Sequence, residues 1–415
     1  MTAADDSLQR AKVRRASKIG VSLPDDRYVP IRADDLVEAM AKDGETFGDA
    51  AAQLPAVADA LERVNDREAR ALYRALERAY DRFNPDRETL ALAGTGDDAD
   101  SRDRLRRLLH YMFDKANYDR LDDVQLQAAI ASASSHGMTI KISPEKVDTL
   151  DLFVRGRTEQ TRRVRTWRHP FKGEERQVEL YRRLAVVFRM RDDRNVAIKL
   201  FREIPVSDLE ALLPHAEVAM TSVDRVKIIG GGLGALGGVA WKIVAVLVEG
   251  AVLATNFVWA LIAAFLGLSV RSFLGYRRAR VLRSSQMTHH LYYQNVANNL
   301  GVLDLLVSNI AAEETKEGLL VYSVLAGPTA DDLTSAAAVS SAVQTWLSRT
   351  FGVDVDFDID DALEELDRLD MWEDRTRWQV HAPEAVRARL QARARDRDDE
   401  GYHLRRAEPA AESTA

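Results

Sequence analysis

The sequence predicts an α+β membrane protein, on three observations. From about residue 27 to residue 142, apolar side chains recur at helical spacing. Residues 143–223 switch to short alternating runs of β type. Ile228 to Val270 is then almost unbrokenly apolar, with only Lys242 and Glu249 charged inside it. A bilayer core takes roughly 20 apolar residues per crossing helix. The stretch therefore reads as a transmembrane hairpin within 224–275, with helices near 228–248 and 251–270 and a turn at Glu249 and Gly250. The full expectation is a helical N-terminal domain (27–142), a small antiparallel β-sheet in a basic domain (143–223), the two-helix hairpin, cytoplasmic juxtamembrane helices (276–330) and a winged-helix-like C-terminal module (331–397). Disordered ends are expected at 1–26 and 398–415.

Charge orients the hairpin. Arg225 and Lys227 precede it, and Arg271, Arg277, Arg278, Arg280 and Arg283 follow it. Basic excess marks cytoplasmic flanks, so both termini are expected in the cytoplasm of a multi-pass protein. Gly230, Gly234 and Gly238 recur at spacing four, on one helix face, where small residues allow close helix packing and a homo-oligomer. The same glycines also spell GxGxxG, the form of a dinucleotide-binding turn. That reading fails on context, because the ribose-binding acid belongs about 20 positions on. After Gly237 the first acid is Glu249, which is too early, and the next is Asp304. Lys242, beside Trp241, reads as an interfacial anchor in preference to an ion site.

Composition sets further bounds. The 415 residues suffice for two or three domains. The net charge of −7 argues against nonspecific nucleic-acid binding. The absence of cysteine excludes disulfides, thiolate metal sites and cysteine nucleophiles. Asp5 and Asp6 sit in a start with no apolar core, so neither a signal nor a transit peptide is expected.

Taken in order, Asp34 and Asp35 open a helix through Leu36, Ala39 and Met40, which Gly44 stops. Phe47, Leu54, Val57, Leu61 and Val64 mark a second helix, and Leu72, Leu76 and Tyr80 a third from about Asp66 to Asn84-Pro85. Asp81, Asn84, Asp86 and Glu88 miss the spacing of a calcium loop and read as a helix end. Leu105, Leu108, Leu109 and Met112 mark another helix, followed by one through Val124, Leu126 and Ile130. Four short strands are expected at 151–155, 163–167, 178–190 and 196–201, with turns at Gly156, at Pro170 to Gly173 and at Asp192-Asp193. Twelve arginines crowd this region, among them Arg155, Arg157, Arg182, Arg183 and Arg189. They read either as a basic face for anionic headgroups or a phosphorylated ligand, or as a solvated face that balances the acidic helices. Ser207 and Glu210 form a capping box for a short helix that Pro214 closes.

Beyond the hairpin, Arg271 to Met287 reads as a basic helix facing anionic lipid. Tyr292, Asn295 and Asn299 share a helix face and could line a polar pocket, although a buried hydrogen-bonded contact is the plainer expectation. The next helix runs from about Leu303 to Ala326, with Glu313, Glu314, Lys316 and Glu317 on its polar side. The C-terminal module has a helix with Val343, Trp346 and Leu347, a strand-like Val353 to Phe357, a helix with Leu363 and Leu366, a strand at Trp378 to Val380, and a helix from Pro383. Its second helix carries Asp360, Asp361, Glu364, Glu365, Asp367 and Asp370, which suits a protein contact and not DNA.

Several motifs resemble the transmembrane protein 143 family in order. They are Arg27 to Ile31, Phe153 to Gly156, Phe201-Arg-Glu-Ile-Pro205 with Asp208 to Pro214, Asp224 to Lys227, and Leu291 to Asn295 with Asn298-Asn299. Arg202 and Ala211 stand where that family is expected to carry lysine and methionine. The resemblance implies a two-helix membrane protein with a domain of unknown function and carries over no catalytic residue. No P-loop, HExxH, GxSxG or zinc pattern is present, and no cofactor or metal is expected. The reading is an uncharacterised integral membrane protein acting as a non-catalytic binding or scaffold protein, with the bilayer, anionic lipid and a protein as partners. The alternatives are an oligomeric channel or transporter component, and a lipid-directed enzyme using His289, His290 and Tyr292.

Overall fold

Leu54 to Tyr80 forms one helix of 27 residues, and much of the fold is arranged along it. The computed structural model describes residues 27–88, 98–122, 139–141, 146–166, 169–206, 209, 217–219, 293–396 and 401–408. These fall into two units, one of residues 1–121, 148–203 and 297–415, the other of residues 122–147 and 204–296.

The first unit opens with α1 (Ala33–Lys42) and a single turn, α2 (Gly44–Phe47). Asp43 caps α2 by accepting from the Thr46 amide. The long helix is α3 (Leu54–Tyr80). Two helices were expected here, the second from about Asp66, yet one helix runs straight through that point. Asn65 is fully buried and hydrogen-bonded by its side chain to neighbouring helices, so it does not compete for the local backbone. Then come α4 (Asp98–Lys115) and β1 (Asp119–Arg120).

The expected short strands are instead long ones. β3 (Val147–Thr166) joins the first two, and Gly156 takes φ +64 inside it. β4 (His169–Met190) includes Pro170 to Gly173, where a turn was expected. β5 (Val196–Pro205) alternates buried Val196, Ile198 and Leu200 with exposed Lys199, the period-two signature of a half-covered strand. A single sheet has the order β1-β3-β4-β5-β7, in which β7 is Asn295–Asn298. β1 pairs antiparallel with β3, matching Asp119 to Val154 and Arg120 to Phe153.

α5 (Leu300–Leu325) follows. From Glu317 to Leu325 every residue is buried, so this helix is enclosed by its neighbours. α6 (Ala336–Phe351), α7 (Ile359–Arg368), the β8 (Trp372–Asp374) and β9 (Gln379–Val380) pair, and α8 (Pro383–Arg395) come next. Residues 352–358 are not a strand, contrary to the expectation for Val353 to Phe357. Leu36, Leu61, Tyr322, Trp346, Leu366 and Leu390 share one apolar core, so α6 to α8 pack with α1, α3 and α5. A second core joins Leu72, Leu76, Leu108, Phe113, Phe153, Ile198 and Leu306, from α3, α4, the sheet and α5. The last element is α9 (Tyr402–Ala407).

In the second unit, β2 (Thr139–Lys141) pairs antiparallel with β6 (Glu217–Ala219), Ile140 opposite Val218.

The architecture is thus mixed helix and sheet, and it corrects the membrane reading. Among the described residues, no helix is long and apolar enough to cross a membrane. A transmembrane hairpin and a two-helix, multi-pass membrane localisation with both termini cytoplasmic are therefore not supported. Residues 228–270, on which that expectation rested, lie outside the described residues, as does the capped helix expected from Ser207 to Pro214 for nearly all its length.

Candidate functional site

The residues 313–317 of α5 carry four charges into the interior of the first unit. Glu313, Lys316 and Glu317 are each at most 6% exposed. Burying unpaired charge costs several kcal/mol, so the partners of these groups identify what the interior is built to hold.

On one side of α5 the charges are paired with each other. The Val29 amide donates to Glu313 Oε1 at 2.6 Å, and Lys316 Nζ donates to the Val29 carbonyl at 2.6 Å. Lys316 Nζ also lies 2.6 Å from Glu313 Oε2. An ion pair thus satisfies both backbone groups of a buried extended residue. Tyr28 adds its ring, with Lys316 Nζ at 4.5 Å and the Arg155 guanidinium at 4.3 Å from its centre. The Arg27 to Ile31 motif is therefore anchored to α5, helped by ion pairs from Arg27 to Asp119 and Asp358.

The other side is a carboxylate network with fewer cations. Asn65 Nδ2 donates to Thr315 Oγ1 at 3.1 Å and to Glu365 Oε1 at 2.8 Å. Arg368 pairs with Glu68 and sits 3.7 Å from Glu365. Gly318 makes room for Glu365, because a Cβ there would stand 2.5 Å from Oε2. Burial pushes the Glu365 carboxyl up to about 8; Arg368 opposes the rise, and the negative charges of Glu314 and Glu68 add to it. Burial also raises Glu317 well above the carboxylate range, and the surrounding acids add to it. Glu314 goes the other way. Burial would raise it, but His403, Arg368 and Lys115 outweigh burial and hold it at about 2.

This network reaches the surface through a histidine. His403 of α9 is 1% exposed. Its Nε2 lies 3.5 Å from Glu314 Oε2, and its Nδ1 lies 2.8 Å from the Tyr111 hydroxyl. Tyr111 in turn lines a cleft of about 560 Å³ with Asp103, Arg106, Arg107 and His110 of α4, Arg120 of β1, and Arg406 and Ala407 of α9. Positions 103, 106, 107, 110 and 111 fall on one face of α4, opposite Leu105, Leu108 and Met112. The cleft is strongly basic. Arg120 is paired with Asp151 at 2.6 Å, and Arg406 with Glu364 at 3.0 Å. Burial would raise Asp151, yet His110 and Arg120 hold it below the usual carboxylate range. Arg106 and Arg107 are exposed and have no ion-pair partner among the described residues. Guanidinium forks converging on an open cavity are suited to bind a carboxylate or phosphate.

The residues singled out by sequence fall mainly elsewhere. Gly230, Gly234, Gly238, Arg271, Arg277, Arg278, Arg280, Arg283 and Tyr292 lie outside the described residues, as do Lys242, His289 and His290. Asn295 stands in strand β7, so it does not share a helix face with Asn299. Asn299 precedes α5 at φ 49 and is buried as a connector. Its Oδ1 accepts from the Ile198 amide at 3.0 Å, and its Nδ2 donates to Asp86 at 2.5 Å. The Tyr80 hydroxyl lies 3.0 Å from the same Oδ1 and donates to the Val196 carbonyl at 2.7 Å. Among the described residues, no group of three or more histidine or acidic side chains is placed to hold a metal ion.

Sequence reasoning missed the cleft. Its signal was the polar complement of the α4 apolar stripe, Arg106, Arg107 and His110, but nothing nearby announced Arg406. Compared with known proteins, residues 163–301 match a family model described as a protein of unknown function (DUF3754), about a third of the chain. The chain therefore carries a domain of unknown function, and this match does not name the transmembrane protein 143 family. The cleft residues lie outside the matched stretch. No solved structure matches the chain.

Proposed function

We propose that the chain is a non-catalytic binding protein whose basic cleft takes a small anionic partner. The observation that carries this reading is the pair Arg106 and Arg107, exposed at the cleft and without a carboxylate partner among the described residues. Two adjacent guanidiniums repel each other, and an anion between them relieves that repulsion. The cavity of about 560 Å³ lies within the range of small-molecule sites, roughly 300–1,000 Å³. The finer resemblance to transmembrane protein 143 adds neither substrate nor catalytic residue to this reading.

Thermal unfolding of the full chain at low ionic strength tests it, with sodium pyrophosphate and sodium succinate as probes. A ligand at a hundred times its Kd stabilises by about 2.7 kcal/mol. The expected result is a rise in Tm with at least one probe that added salt suppresses and that Arg106→Ala/Arg107→Ala abolishes. No rise with either probe, or an equal rise in the double variant, overturns the reading.

A further inference from the structure

We infer that the cleft takes a phosphate-type dianion and that α9 is part of its site, with Arg406 contacting the ligand and His403 positioning the helix. This rests on the basic cleft being a binding site.

The ligand class follows from charge. Four guanidiniums line the cleft, and two of them, Arg120 and Arg406, are already matched by Asp151 and Glu364. Arg106 and Arg107 have no ion-pair partner among the described residues, and Asp103 is the one acid among the lining residues, so the cleft keeps a net positive charge. A phosphate ester carries about −1.5 to −2 near neutral pH, with three acceptor oxygens for several forks at once. A monocarboxylate offers only two acceptor oxygens and serves fewer forks.

The role of α9 follows from how it is held. It is six residues long, too short to be helical by itself. Its ends are fixed by polar contacts. The Tyr402 hydroxyl donates to Glu364 at 3.1 Å under a stacked Arg368, Arg406 pairs with the same carboxylate, and Arg104 pairs with Glu408 at 2.6 Å. Between them His403 is inserted into the interior, bridging Tyr111 and Glu314. Tyr111 is itself a wall of the cleft, so one imidazole ties together the helix that brings Arg406, the cleft wall and α5. Undocking α9 would take Arg406 and Ala407 out of the cleft. It would also leave Tyr111 and Glu314 without their shared partner.

Two measurements on the full chain test this, calorimetric titration with pyrophosphate and with succinate, and hydrogen exchange of residues 402–408. Arg406→Ala is expected to weaken pyrophosphate binding about tenfold, the loss of one charge-assisted contact, and to speed ligand-free exchange less than His403→Ala does, because Tyr402, His403 and Glu408 still hold the helix. His403→Ala is expected to weaken binding by a similar factor and to speed exchange of 402–408. Saturating pyrophosphate should slow that exchange in the parent chain. Equal affinity in Arg406→Ala and the parent overturns the role of α9, as does exchange at 402–408 that pyrophosphate leaves untouched. Arg406→Ala keeps the test decisive if His403→Ala fails to fold. Tighter binding of succinate overturns the phosphate class. Binding that depends on Arg106 and Arg107 but not on Arg406 sinks this inference alone, whereas no binding of either probe sinks the cleft reading with it.

Discussion

Glu313 and Glu314 are neighbours on one helix, both in the interior, and they belong to opposite kinds of site. Glu313 is closed off: Lys316 and the Val29 amide take its oxygens, and the Val29 carbonyl takes the lysine. Glu314 faces His403 at 3.5 Å, in a network where Glu68 and Glu365 share Arg368 and Glu317 is surrounded by acids. The first arrangement is a lock in which an ion pair meets both backbone groups of Val29. The second has acids to spare and a histidine leading to a basic cleft. Buried charge by itself is thus a poor guide to function; the balance of its partners separates a structural clamp from a candidate site.

The comparison breaks most severely at the lock. Lys316→Ala should leave Glu313 buried without its cation and take one of two donors from the Val29 carbonyl, which keeps the Ile31 amide. Removing one partner of a buried pair costs about 3–5 kcal/mol. Urea unfolding should show a loss of that size, while Glu313→Gln/Lys316→Met should lose distinctly less, because neither charge is stranded. If the single and double variants lose the same amount, the pair is not acting as a unit.

A smaller effect is expected at Gly318. A methyl group there meets the Glu365 carboxylate at 2.5 Å. That carboxylate is the end of a flexible side chain but is hydrogen-bonded to Asn65, so it must move and break the bond. Overpacking of this kind costs about 1–3 kcal/mol. Gly318→Ala should be destabilised by that amount, and much less so in a Glu365→Ala background. Equal costs in the two backgrounds would show that Glu365 is not what the glycine accommodates.

How much of this was legible beforehand varies along the chain. The apolar spacing placed α5 close to its observed bounds and located helices at the α4 and α6 stripes, because burial of a stripe is what spacing reports. The same logic misled at residues 313–317. Their charges read as a solvent face, whereas α3, α6 and α7 cover α5 there, and polar side chains at helical spacing look alike in both settings. Gly156 and the Pro170 to Gly173 run looked like turns, since local turn chemistry does not reveal that a strand continues through it. The cleft was half legible, on α4. Arg406 lies about 300 residues further on, and no local rule pairs it with Arg107. The transmembrane hairpin, read from apolar length alone, has no counterpart among the described helices.

Within the carboxylate network, Glu365 and Glu314 should respond to pH in opposite directions. The Glu365 carboxyl stands at about 8 when folded, against 4.5 for the ordinary group. Between those values the folded chain holds the proton more tightly than the unfolded one. Stability from this group is therefore complete below about 4.5 and is lost as pH rises towards 8. Glu314 has the opposite sign: held at about 2, it contributes stability above 4.5 that is lost as pH falls towards 2. One group changes stability by at most about 1.4 kcal/mol per pH unit. Urea titrations from pH 5 to pH 8 should thus show a downward slope that Glu365→Gln flattens. The same slope in the variant would assign it to other groups.

The smallest change in stability is expected at the cleft rim. Arg106 is exposed and forms no ion pair among the described residues, so Arg106→Ala should shift unfolding by no more than about 0.5 kcal/mol. It should shift it upward if anything, since the variant relieves repulsion from Arg107. The same substitution should weaken pyrophosphate binding and reduce its salt dependence. A residue that costs little to remove from the fold and much to remove from binding is what separates the cleft from the Val29 clamp, where stability and contact are lost together. If Arg106→Ala proves strongly destabilising, the cleft is a second structural site, and the contrast between the two sides of α5 no longer separates structure from function.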